Sequence, residues 1–133
     1  MLIYTKEEKG IMLKNKKKGK YNIMPITIKE SKGYKNSIKK IKNNYDVKNK
    51  IEKIISYLEV INSFEEIKND VVLKMYGYEE LREDLSGYYR FGIDKNSKTG
   101  KLRLLFSKID NNTIQLEYIS TEHYRDFKRY LRG

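Results

Sequence analysis

Three places in the second half of the chain carry side chains suited to moving protons around a phosphate. A pair of carboxylates, Glu79 and Glu80, stands ahead of Arg82, Glu83 and Asp84. Arg103 sits inside the run Leu102-Arg103-Leu104-Leu105-Phe106, and His123-Tyr124 follows the next apolar stretch. Cleaving RNA through its own 2′-OH takes a base to remove that proton, a cation to stabilise charge growing on phosphorus, and an acid to protonate the leaving 5′-oxygen. Glu, Arg and His are the residue types for those roles, and an aromatic beside them can stack a splayed base. Taken singly, each feature has a plainer reading: a solvated acidic turn, the water-facing side of a half-buried strand, and a surface imidazole. Their combination is what points to chemistry.

Composition narrows the alternatives. The chain has 133 residues, enough for one domain with one modest core. It has no Cys and a single His, so disulfides, thiolate nucleophiles and His-rich metal sites are excluded. No metal or other cofactor is expected. Lys and Arg number 29 against 18 Asp and Glu, a net charge of +11, which favours a polyanionic partner. The cations are Lys alone up to Lys74, and Arg first appears at Arg82. Arg grips phosphate in a planar fork where Lys offers a solvated point charge, so phosphate chemistry is expected in the C-terminal part. No run approaches the ~18 apolar residues of a membrane span. Met1–Lys20 lacks the apolar core of an export signal, so the expected compartment is the cytoplasm.

The elements that must position these groups follow from periodicity. Residues 1–20 read as a basic extension, with a short strand at Met1–Thr5 and a mobile Lys14–Lys20; residues 21–133 read as the domain. Tyr21–Ile28 predicts a strand, and Pro25 confines it to an edge or to its first residues. Ser31 is placed to cap a helix carrying Tyr34, Ile38, Ile41 and Tyr45 on one face. After the break at Asn43-Asn44, Val47, Ile51, Ile54, Ile55, Leu58 and Ile61 mark a second helix. Asp70–Leu81 fits no single pattern. Period two then sets in: Tyr89, Phe91 and Ile93 oppose Tyr88 and Arg90, Leu102, Leu104 and Phe106 oppose Arg103 and Leu105, and Ile114, Leu116 and Tyr118 make a third strand. Asp94–Gly100 and Ile109–Asn112 are turns, and His123–Leu131 closes the chain as a short helix. The sum is an α+β domain with two N-terminal helices on one face of a twisted antiparallel sheet. Their stripe should bury against Phe91, Leu104, Phe106 and Leu116, leaving the other sheet face open and basic.

The segments Asp84-Leu85-Ser86-Gly87-Tyr88-Tyr89-Arg90-Phe91, Leu102-Arg103-Leu104-Leu105-Phe106 and Glu122-His123-Tyr124 resemble the RelE/ParE superfamily of type II toxin–antitoxin toxins. They are most similar to the YoeB and RelE-like messenger-RNA interferases. The likeness is strong over 78–124 and loose over 22–70. It implies a RelE-like fold and a ribosome-dependent endoribonuclease that cuts mRNA in the decoding (A) site. It also implies contacts with ribosomal RNA and silencing by a cognate acidic antitoxin that covers the active face. Carried over position by position, it implies Arg103 as the central Arg, His123 and Tyr124 as the terminal His-Tyr, and Glu79 as the base, with Glu80 the near alternative. Gly92 stands where many members have a cation, and Arg90, Lys101 and Arg125 are the residues that could bind RNA in its place. Two rivals stand beside this reading. One is a ParE-like toxin directed at DNA gyrase, a branch expected to lack the Glu, Arg and His-Tyr set. The other is a non-catalytic RNA- or ribosome-binding module, which charge and Tyr content alone would fit equally well.

Overall fold

Polar caps set the helices. The computed structural model describes residues 25–94 and 101–133, so the basic extension, its expected strand and most of the Asp94–Gly100 turn lie outside the described residues. Ser31 caps α1 (Lys32–Ile38) by accepting the Tyr34 amide at 3.1 Å. A 3-10 turn, Lys39–Ile41, follows. Asn44 then accepts the Val47 amide at 3.2 Å and starts α2 (Tyr45–Leu58). Val47, Ile51, Ile54 and Leu58 are buried on its inner face, with Ile55 half-buried at the edge of the core. Ile61 is buried too, although the helix has already ended. Tyr45, expected on the apolar face of the first helix, opens α2 instead and is exposed.

The ambiguous stretch resolves into two short helices, α3 (Phe64–Asn69) and α4 (Val71–Met75), capped by Ser63 and Asp70. Neither reaches the two turns, about 7 residues, over which an apolar stripe repeats. Short strand β2 (Glu79–Glu80) comes next, followed by β3 (Tyr88–Gly92), β4 (Arg103–Asp110) and β5 (Thr113–Ser120). The last three form the expected antiparallel meander, and β2 extends it by pairing with β3. The first strand, β1 (Thr27–Glu30), begins only after Pro25 and pairs with β5 in parallel, so the sheet is mixed, in the order β1-β5-β4-β3-β2. Beyond Leu116, α1 takes over this edge. The Ser31 hydroxyl donates to the Glu117 carbonyl at 2.9 Å, and the Ser37 hydroxyl accepts the Ile119 amide at 2.8 Å. Side chains thus pair backbone groups that an uncovered strand would present to other molecules.

One core cluster lies between the helices and the sheet, where the α2 stripe meets Phe91, Leu104, Phe106 and Leu116 as expected. The other sheet face is not open. It carries a second cluster of Leu81, Leu85, Leu105, Tyr118 and Phe127, flanked by Tyr88 and Tyr124. Phe127 comes from α5 (Arg125–Leu131), which folds back over that face. Tyr118 reaches this cluster through a bulge. Leu105 pairs with Tyr118 and Phe106 with Leu116, so Glu117 is the extra residue and the alternation reverses after it. Strict alternation from Leu116 would have put Tyr118 on the helix side, where Ile119 now sits.

Gly33 lies where α1 meets this edge. A Cβ there would stand 2.6 Å from the Tyr130 hydroxyl and 2.8 Å from the Glu117 carbonyl. The carbonyl belongs to the bulge and cannot easily withdraw. Gly33→Ala is therefore expected to destabilise the protein by about 1–3 kcal/mol, the usual range for overpacking. A urea titration checks this, and an unchanged midpoint would mean that α1 can shift freely.

Candidate active site

Strand register decides which side chains meet. Residues directly opposite in an antiparallel pair share a face. Glu79 is opposite Arg90, Arg90 opposite Leu105, Gly92 opposite Arg103, and Arg103 opposite Ser120. Glu79, Arg90, Arg103 and Ser120 therefore share the sheet face on which α5 packs. Glu80 is opposite Tyr89, whose ring packs against Phe64 in the helical layer. It points to the other side, so of the two carboxylates only Glu79 shares a face with Arg103.

Arg103, read in isolation as a water-facing strand residue, is buried, 3% exposed. Its guanidinium donates to the Leu102 carbonyl at 3.4 Å and lies 5.8 Å from the centre of the Tyr124 ring. Tyr124 in turn meets His123 edge-on, with ring centres 4.5 Å apart. Arg103, Tyr124 and His123 thus form one contact chain. Arg90 is also buried, and donates to the Glu79 carboxylate at 2.9 Å. Glu79 itself is largely exposed. Lys101 and Arg125 are exposed, the first just before β4 and the second opening α5.

The helix expected from His123 begins at Arg125, because His123 holds a left-handed backbone, φ +66°. Such a conformation is uncommon for a non-glycine residue, although His adopts it more readily than most. The turn it makes presents the imidazole to a depression of about 370 Å³ lined by Glu122, His123, Tyr124, Arg125 and Lys128. Partial burial holds the imidazole pKa below its ordinary value, and the positive charges of Arg103, Arg90, Lys101 and Lys128 push the same way. One sheet face thus holds Glu79, the buried Arg90 paired with it and the buried Arg103, and Tyr124 links Arg103 to the His123 imidazole. Such a set of groups can bind a phosphodiester and offer it a base and an acid.

The sequence reading missed Ser120 and Asp126, both buried under the His123 turn. Their signal was faint: an acid in the first turn of a short helix, directly after His-Tyr. It also did not foresee the Arg90–Glu79 pair, which depends on strand register. Among the described residues no group of His, Asp and Glu could hold a metal ion, and no helix is long and apolar enough to cross a membrane.

No protein-family model matches the sequence, and comparison with curated proteins finds no match. Solved structures do match in three dimensions. YafQ from E. coli strain BL21(DE3) superposes with a TM-score of 0.52 at 17% identity, over 81% of this chain and 99% of that one. The E. coli DinJ–YafQ toxin–antitoxin complex gives a TM-score of 0.52 at 15% identity, over 73% of this chain and 92% of the matched one. The YoeB/ParE toxin from Agrobacterium tumefaciens gives 0.50 at 11% identity, over 72% and 98%. The chain thus shares its fold with these YafQ and YoeB/ParE toxin structures.

Proposed function

We propose that this chain is the toxin of a toxin–antitoxin pair, acting in the cytoplasm as an endoribonuclease that cleaves mRNA on the ribosome. The observation that supports the reading is that Glu79 and Arg103 share one sheet face while Tyr124 links Arg103 to His123. In-line displacement at phosphorus puts the attacking and leaving oxygens on opposite sides, so base and acid must flank the cation. Glu79 takes the proton from the 2′-OH, and O2′ forms a bond to phosphorus. Arg103 stabilises the added negative charge. The P–O5′ bond breaks as His123 delivers a proton to O5′. Tyr124 stacks on the substrate, Lys101 and Arg125 hold flanking phosphates, and Arg90 steadies Glu79 from behind. The products are a 2′,3′-cyclic phosphate and a 5′-hydroxyl.

The fold likeness to a toxin solved with its antitoxin supports a cognate antitoxin as partner, and the net charge of +11 favours an acidic one. Net charge +11 favours ribosomal RNA as the other contact. The test is induced expression in a bacterial host with mRNA ends mapped. Growth should stop, with cuts confined to translated messages. Arrest with intact mRNA and altered DNA supercoiling would favour the gyrase-directed branch instead.

A further inference from the structure

Beneath His123 lies a buried polar knot. Ser120 is fully buried and sits directly opposite Arg103 in the strand register. Its single proton lies within reach of two acceptors, the His123 carbonyl at 2.7 Å and the Asp126 carboxylate, and is shared between them. Asp126 is 8% exposed. Its carboxylate also accepts the Thr121 amide at 2.8 Å, the Thr121 hydroxyl at 3.3 Å and the Phe127 amide at 3.0 Å. Burial by itself would raise this carboxyl pKa. Hydrogen bonds from Ser120 and from the backbone of Thr121, Phe127 and Glu122 outweigh it, and the net shift is downward. The group is thus an acceptor-only carboxylate surrounded by donors. The turn it ties down carries His123 at φ +66°, a conformation that persists only where its surroundings enforce it.

We propose that Asp126, acting through Ser120 and Thr121, is a positioning residue that holds His123 at a fixed place relative to Arg103. The assignment rests on the catalytic reading above and extends it to α5, which lies beyond the segments that carry the family resemblance. Asp126→Asn is nearly isosteric, but its amide replaces one acceptor with a donor facing other donors. The turn should loosen while the packing of Phe127 is kept. Misplacing a reacting group by about 1 Å can cost ~10²-fold in rate.

The experiment is a mutant cycle on the full chain, using ribosomes programmed with one defined mRNA and single-turnover cleavage. Asp126→Asn should lower the cleavage rate ~10²-fold with KM unchanged, and should add nothing in a His123→Ala background, because it acts only through His123. An unchanged rate would overturn the proposal. So would an equal loss in both backgrounds, which marks a general structural role. If Asp126→Asn does not fold, as read by circular dichroism, Ser120→Ala replaces it in the same cycle, with the same outcomes deciding. A wild-type chain that does not cleave would overturn the catalytic reading itself, whereas a cleaving wild type with a fully active Asp126→Asn overturns only this inference.

Discussion

His123→Ala is expected to slow cleavage of ribosome-bound mRNA by ~10²–10⁴, the range for loss of a general acid, and Arg103→Ala by ~10²–10³, the range for loss of a charge-stabilising donor. Both losses should appear in kcat. His123 is exposed, so its removal should leave stability nearly unchanged, while Arg103 is buried and its variant needs a parallel unfolding curve. A non-catalytic RNA-binding module would tolerate His123→Ala. The pH profile carries a second signature. An acid must be protonated to act, and partial burial, Arg103, Arg90, Lys101 and Lys128 all hold the His123 pKa down. Activity that depends on this proton falls as pH rises through that lowered value. Lys101→Gln removes one of the opposing charges, so the alkaline limb should move to higher pH. A limb that stays put in Lys101→Gln would mean that another group titrates.

The second large effect is on stability. Phe127 is fully buried, with ring centres 5.1 Å from Tyr88, edge-on, and 5.4 Å from Tyr118. Phe127→Ala is expected to cost about 3–5 kcal/mol, the range for truncating a buried aromatic. Chemical denaturation measures it. Because α5 leads directly from the His123-Tyr124 turn, cleavage should fall as well, even at temperatures where the variant remains folded. A loss under ~1 kcal/mol would mean that α5 is not held on the sheet.

Much of the frame was legible because local physics writes it locally. Ser31 caps as its side chain predicts, the chain breaks between helices at Asn43-Asn44, and the α2 stripe faces the strands that alternation marked. Glu79, Arg103, His123 and Tyr124 were named from residue type and resemblance; the register puts Glu79 and Arg103 on one sheet face, and Tyr124 lies beside Arg103. What escaped the sequence is non-local or too short to have a period. The parallel pairing of β1 with β5 joins Thr27 to Thr113 and leaves no trace in either segment. The bulge at Glu117 reverses the strand faces with no Gly or Pro to announce it. The last helix was foreseen, but its seat was not. Phe127 and Leu131 are both apolar and one helical turn apart, yet Phe127 is fully buried and Leu131 exposed. The expectation of an open face failed for the same reason, since α5 covers part of it.

The central claim is that one sheet face carries out transesterification through the substrate's own 2′-OH. The ends of the cut RNA test this most directly. A defined mRNA on ribosomes, cleaved by the full chain, should yield upstream fragments ending in 2′,3′-cyclic phosphate and downstream fragments that a polynucleotide kinase can label at a 5′-hydroxyl without prior phosphatase. Downstream fragments bearing a 5′-phosphate, with 3′-hydroxyl ends upstream, would mean that water or another nucleophile attacked phosphorus, and would contradict the roles given to Glu79, Arg103 and His123.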